Sequence, residues 1–191
     1  MDSKSVAEAK SSLRQRLMEK RNLESLSNSD LVSQRFTSQL IAAWHDYQST
    51  TVACYLAFGS EPNTQGFIDW ALTNEIDLLL PVARPDGELH WVHFDGSSTA
   101  VGMFGFAEPV GDLADLSTAG LIFIPALAVD ENGNRLGKGK GYYDRALKAN
   151  PHQRVIAVVY DSEVLPAVPT ESHDFKVDGF VTESRLVILA N

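Results

Sequence analysis

Residues Arg135 to Arg145 read RLGKGKGYYDR, placing glycines between two lysines and following them with two tyrosines and an aspartate. Cations that repel one another on a glycine-loosened backbone cost stability, so a ligand is a reason for them to stand together. Glycines let a backbone approach a phosphate closely, and a helix N-terminus supplies free N–H donors and a positive dipole end. Lys138 and Lys140 add full charges. The spacing is not that of a P-loop: three residues separate Gly133 from Gly137, and Gly139 follows the lysine where a Ser or Thr would stand. Nor is it a dinucleotide fingerprint, since Gly137, Gly139 and Gly141 give G-x-G-x-G. Spacing alone leaves both a flexible basic turn and a phosphate cradle open.

Asp144, next after this run, stands where it could stabilise a helix dipole or hold Mg²⁺, which takes one or two protein carboxylates and leaves its other positions to phosphate and water. Asp178, in ESHDFKVDGF, is the best second carboxylate for such an ion, although alone it could simply be a strand-end residue. Glu61, in FGSEPNT, could pair with a ring N–H of a ligand or face water. None of the five histidines has metal-ligand spacing to a cysteine or carboxylate, and His173 beside Asp174 suggests a structural hydrogen bond. There is no nucleophile motif.

The 191 residues suit a single domain, 1–191. A net charge of −9 argues against nucleic acid and anionic membranes as partners. Of the 16 basic residues, however, six fall in the first 21 positions and five between Arg135 and Lys148. Two such clusters in an acidic chain fit one small anionic ligand gripped from both sides. Apolar runs are far shorter than a membrane span, MDSKSVAEAKSSLRQ has no signal-peptide core, and Cys54 alone cannot form an internal disulfide. A cytoplasmic protein is expected, with Cys54 a small buried hydrophobe.

Several elements must position these groups. Val6, Ala9, Leu13 and Leu17 recur at helical spacing, with Lys10, Arg14 and Arg21 on a neighbouring face. SNSDLVSQRFTSQLIAAWHDY predicts a second helix through Leu31, Leu40, Ile41 and Trp44. A third follows Asn63 or Thr64 as cap. TVACYLAF, IDLLLPV, LHWVHF, GLIFIPALAV, RVIAVVY, DGFVTE and RLVILA read as strands, and residues 95–119 as a long connection. A short helix, YYDRALKAN, follows the glycine–lysine loop. The alternation predicts a three-layer α/β/α fold with a mostly parallel, mixed central sheet. Ligands in such folds sit beyond the carboxyl ends of strands, where GSEPNT and RLGKGKGYYD both fall.

LIFIPALAVDENGNRLGKGKGYYDRAL closely resembles the signature of the 5-formyltetrahydrofolate cyclo-ligases, the methenyltetrahydrofolate synthetases. The likeness runs along the chain through AKSSLRQRL, YLAFGSEPNT, LLLPVARPDGEL, GMFGFAEP and VPTESHDFKVDGFVTE. It implies conversion of 5-formyltetrahydrofolate to 5,10-methenyltetrahydrofolate with one ATP and Mg²⁺ by a monomer. It further implies that Lys10 and Arg14 contact ATP phosphates and that Arg135, Leu136, Gly137, Lys138, Gly139, Lys140, Gly141, Tyr142 and Tyr143 form the ATP loop. By the same likeness Lys138 through Tyr142 also face the folate, Leu56 and Glu61 contact the pterin, and Phe104 lines the folate site. Asp144 and Asp178 match magnesium positions, and Arg135, Lys140 and Tyr142 are the expected catalytic groups. From charge alone, Lys138, Arg145 or Lys148 could receive an anionic polyglutamate tail. A noncatalytic folate or nucleotide binder, and an ATP-dependent enzyme for a related formylated or pterin-like substrate, are the rival readings.

Overall fold

A computed structural model describes residues 3–24, 30–97, 99–102, 105–151, 153–172 and 174–189. Its centre is an eight-stranded sheet. In chain order the strands are β1 (Thr51–Ala53), β2 (Asp77–Ala83), β3 (Leu89–His93), β6 (Leu113–Ala114), β7 (Leu121–Pro125), β10 (Arg154–Val158), β11 (Gly179–Val181) and β12 (Leu186–Ile188). Their spatial order is β12-β11-β10-β7-β1-β2-β3-β6. The five from β11 to β2 are parallel, and β12, β3 and β6 add antiparallel edges, as the sequence predicts for a mixed sheet.

The central strands are apolar on both faces because both faces are covered. One face, with Val52, Leu78, Leu80, Phe123 and Val158, packs against α2 (Asp30–Tyr47) and α3 (Gln65–Thr73). The other, with Ala53, Leu79, Ile122, Ile124 and Val155, packs against Ala146 and Leu147 of α4 (Tyr142–Lys148) and the 3-10 turn at Leu116–Thr118. Three layers result. Within them α2 buries Phe36, Leu40 and Ala43, whereas Leu31, expected inside, sits exposed in its first turn. Ahead of α3, Thr64 makes no side-chain cap: its hydroxyl donates to Tyr55 O at 2.5 Å, and Asn63 Oδ1 instead accepts the Gln65 N–H at 2.9 Å.

The first helix, α1 (Ser3–Glu24), belongs to neither face. It lies against a small hairpin of β8 (Ala128–Val129) and β9 (Arg135–Leu136), burying Leu13 and Leu17 with Leu127, Ala128, Leu136 and Val168. Ala9, expected on that stripe, is exposed, and the buried positions are taken partly by Lys10 and Arg21. Residues 95–119 are not featureless: they hold a hairpin of β4 (Thr99–Val101) and β5 (Ala107–Pro109), then β6 and the 3-10 turn. Those strands are two or three residues long, too short to show a period. Cys54 is fully buried, and burial pushes its thiol up to about 12, consistent with a packing role.

Arg21 fixes α1. Its Nε and one terminal nitrogen donate to the two oxygens of Glu163 at 2.6 and 2.7 Å, and the latter nitrogen also donates to Ala126 O at 2.7 Å. Both side chains are almost fully buried, and the guanidinium lies 5.3 Å from the Tyr160 ring centre. Removing one partner of such a pair strands a buried charge. Glu163→Ala is therefore expected to lower stability by about 3–5 kcal/mol, read as a fall in denaturation midpoint. A loss below about 1 kcal/mol, the range of exposed pairs, would contradict the anchoring role.

Candidate active site

Beyond the carboxyl ends of β1, β2 and β7 lies a cavity of about 630 Å³. Its walls come from α1, the segment after β1, the ends of β2 and β3, β5 with Phe106 before it, the loop from β9 into α4, and Glu171 and Asp174.

The glycine–lysine loop is aimed by the turn that precedes it. Asp130, buried, accepts from the backbone N–H groups of Asn132 and Asn134 at 2.9 and 3.1 Å through Oδ1. Its Oδ2 accepts from the Asn134 side chain and from Val168 N–H, both at 2.9 Å. Gly133 closes this turn at φ +76°, where a Cβ would meet Val177 O at 2.5 Å. The chain then runs through β9 into the cavity wall. Gly139, at φ +95°, and Gly141, at φ +70° as the residue before α4, provide backbone that L-residues adopt only under strain. Every loop residue from Arg135 to Tyr143 lines the cavity, as do Lys10, Arg14, Leu56, Glu61 and Asp144.

The wall is not simply basic. Five cations (Lys10, Arg14, Arg135, Lys138, Lys140) face five carboxylates (Glu61, Glu108, Asp144, Glu171, Asp174). Lys10 Nζ holds Asp174 at 2.6 Å and Glu171 at 2.8 Å. Burial works against its charge, but these hydrogen bonds and attractions prevail and raise its pKa. Arg135 donates to Asp144 Oδ1 at 2.7 Å, while its buried Nε finds no partner among the described residues. Burial pulls Arg135 below the usual arginine value, with Asp144 and Asp174 opposing. Lys138 pairs with Glu61 at 2.6 Å. Arg14 uses Nε on Gly137 O at 2.9 Å. Its terminal nitrogens, and the ammonium of Lys140, have no partner among the described residues. Net attraction for an added anion therefore comes from Arg14, Lys140 and the loop.

Part of the cavity is apolar and aromatic. Phe58 and Phe106 stack with centroids 4.3 Å apart and planes at 24°, and Lys138 Nζ lies 3.9 Å from the Phe58 centroid. Tyr55 is buried and donates to Pro62 O at 3.0 Å. Tyr143 packs edge-on against Trp91. Burial first, and nearby Glu61 second, push both phenols well above their ordinary value.

Asp144 accepts from Arg135 and from Phe175 N–H through Oδ1, leaving Oδ2 without a hydrogen bond among the described residues. One carboxylate with a spare oxygen beside an anion site suits Mg²⁺. The fold does not bring Asp178 to it. Asp178 sits beside the amino end of β10, accepting from Val155 N–H at 2.8 Å and pairing with Arg154, off the cavity wall. Its register next to β11 fixes that place. No group of three or more metal-ligating side chains occurs among the described residues. Phe104 and His173 lie outside the described residues. Of the three cations considered for an anionic tail, only Lys138 lines the cavity. Arg145 instead donates to Gly87 O and pairs with Glu88 at 3.4 Å, and Lys148 is exposed on α4.

Phe58, Phe106, Glu108, Glu171 and Asp174 are among the cavity residues that sequence reasoning missed. Phe58 stands three residues before Glu61, and Phe106 two after Phe104. The acidic pair, three apart, would have stood out as the complement of the basic first helix.

The 5-formyltetrahydrofolate cyclo-ligase family model matches residues 6–183. Over 147 residues the chain is 38% identical to a 5-formyltetrahydrofolate cyclo-ligase of Mycolicibacterium smegmatis, covering 72% of this chain and 76% of the relative. It is 33% identical over 144 residues to the 5-formyltetrahydrofolate cyclo-ligase of Escherichia coli, covering 71% and 79%. Among solved structures, the 5,10-methenyltetrahydrofolate synthetase of Aquifex aeolicus superposes with a TM-score of 0.81 at 32% identity, covering 95% of this chain and 93% of the other.

Gly139→Ala imposes a side chain on strained backbone and brings it against Arg14, 3.4 Å away. It is expected to cost roughly 1–2 kcal/mol of stability. A denaturation midpoint equal to that of the parent would show that the loop relaxes freely.

Proposed function

The chain belongs to the 5-formyltetrahydrofolate cyclo-ligase family, and from that premise we propose that it closes 5-formyltetrahydrofolate to 5,10-methenyltetrahydrofolate at the expense of one ATP. The observation that carries this reading is the convergence of the glycine–lysine loop, Arg14 and buried Glu61 on a single cavity. A phosphate site and a site for a ring bearing N–H donors then share one enclosure.

A formyl amide is a poor electrophile, and its oxygen must leave for the ring to close. Transfer of the terminal phosphoryl group of ATP to that oxygen makes it a leaving group. The neighbouring amine nitrogen attacks the formyl carbon, loses its proton, and phosphate departs with the oxygen. No protein nucleophile is required, so positioning and charge neutralisation carry the catalysis.

In this reading Lys140, Arg14 and the N–H groups of Gly137 to Tyr142 hold the phosphates, with Lys140 free to follow the transferring group. Arg135 is kept in place by Asp144 on the cavity wall. Tyr142, on the wall between loop and α4, borders both substrates. Glu61 and Leu56 hold the pterin, and Lys10 braces the phosphate side through Asp174 and Glu171. Magnesium, held by Asp144, would neutralise phosphate charge when bound. Asp178 has no part in this arrangement.

Absorbance of methenyltetrahydrofolate, followed with and without ATP and Mg²⁺, tests the reading. Product only in the presence of both is expected, and formation without ATP would overturn it. Lys140→Ala is expected to lower turnover about a hundredfold or more while leaving the fold intact. Near-normal turnover in that variant would remove Lys140 from its role.

A further inference from the structure

Arg145, in α4, is off the cavity wall, and its side chain is 44% exposed. It is nonetheless closely held. Its Nε donates to Gly87 O at 3.1 Å, and one terminal nitrogen donates both to that carbonyl and, at 3.2 Å, to Lys140 O. The guanidinium also lies 5.6 Å from the centre of the Tyr142 ring, whose hydroxyl donates to Arg84 O at 3.4 Å. Both side chains thus reach from α4 to the turn between β2 and β3. That turn is closed by Arg84 N–H on Glu88 O at 3.0 Å and Gly87 N–H on Arg84 O at 3.1 Å. Glycine makes room on each side of the guanidinium. A Cβ on Gly87 would stand 3.1 Å from one of its terminal nitrogens, and a Cβ on Gly141 would stand 2.8 Å from the other.

We propose that Arg145 is a positioning residue for the triphosphate: by holding the Lys140 carbonyl it fixes the peptide joining Lys140 to Gly141, so that the Gly141 N–H is presented to the phosphates. In a trans peptide the carbonyl and the N–H point opposite ways. A carbonyl tied to a group off the wall therefore turns the N–H away from that group, and both residues of this peptide line the cavity. Among the described residues the Gly141 N–H has no hydrogen-bond partner, so it is left for a ligand. Gly139 and Gly141 on either side give this peptide freedom to turn over. Reversed, it would show the anion an oxygen in place of a donor. A guanidinium suits the task because its planar fork spans two carbonyls from two elements, whereas an ammonium acts as a point charge. The inference rests on the triphosphate site of the cyclo-ligase reading and deepens it.

Calorimetric titration of the full chain tests this, with a non-hydrolysable ATP analogue and Mg²⁺ in one series and 5-formyltetrahydrofolate in another. Arg145→Met is expected to weaken the analogue about tenfold, because only a minority of molecules then hold the loop ready. Folate affinity should stay within about twofold of the parent's in the same variant. Its denaturation midpoint should stay close to the parent's, since exposed charged groups contribute little to stability. Arg145→Lys, which keeps the charge without the fork, should recover only part of the loss. The ratio between parent and Arg145→Met should persist at about 0.5 M salt, where a bare surface charge is screened. Full recovery with lysine, or a ratio that vanishes in salt, would reduce Arg145 to a bare charge and overturn the inference. Equal losses for both ligands, or an unchanged analogue affinity in Arg145→Met, would overturn it as well. A parent that binds the analogue yet forms no methenyltetrahydrofolate would remove the cyclo-ligase reading alone, and a parent that binds no analogue would remove both.

Discussion

A helix with cations on its buried side has to find carboxylates or carbonyls for each of them. That requirement organises this protein. Lys10, Arg14 and Arg21 lie on one side of α1 over about 16 Å. They meet, in turn, the Glu171–Asp174 pair, the Gly137 carbonyl and Glu163. Taking charges out of water is costly, and such a pair is a weaker contributor to stability than its geometry suggests. What it provides is register: a helix that slid by one turn would strand a guanidinium in the core. The three contacts join α1 to the glycine loop, to Glu171 and Asp174 and to the 3-10 turn carrying Glu163, all far from α1 in sequence.

The same logic governs the cavity. An anion site in an acidic chain needs local positive potential, yet most of the basic groups on this wall are already neutralised. Arg135, Lys10 and Lys138 hold Asp144, the Glu171–Asp174 pair and Glu61 in place, so they shape the site. Arg14 and Lys140 keep unspent capacity, and glycine-loosened N–H groups surround them. The division of labour separates cations that build the enclosure from those left for the ligand. It also groups the wall: the Lys138–Glu61 pair stands with Phe58 and Phe106, and Lys140 and Arg14 are left unpaired among the described residues.

Much of this was legible in the sequence, and the failures have physical causes. The buried strands announced themselves because a parallel sheet covered on both faces needs unbroken apolar runs. The glycine loop was visible by composition, and the spacing of Lys10, Arg14 and Arg21 told that they share a face. Their partners were not readable, because Glu163, Glu171 and Asp174 are brought to α1 by tertiary structure alone. The hairpin at 99–109 escaped because strands of three residues carry no period. Asp178 looked like a companion to Asp144, since a carboxylate ahead of a strand reads the same whether it turns to a ligand or to a neighbouring strand's N–H. Of the two caps the sequence offered for α3, Thr64 spends its hydroxyl on the nearby Tyr55 carbonyl, and Asn63 accepts the Gln65 N–H.

The central claim is spatial: a triphosphate lies on the loop from Gly137 to Tyr142, across from the first helix. A crystal structure of the protein with a non-hydrolysable ATP analogue measures that directly. Phosphate oxygens within hydrogen-bond distance of the loop N–H groups, of Lys140 and of Arg14 are the expected result. Phosphates bound elsewhere, with Arg14 and Lys140 untouched, would contradict it.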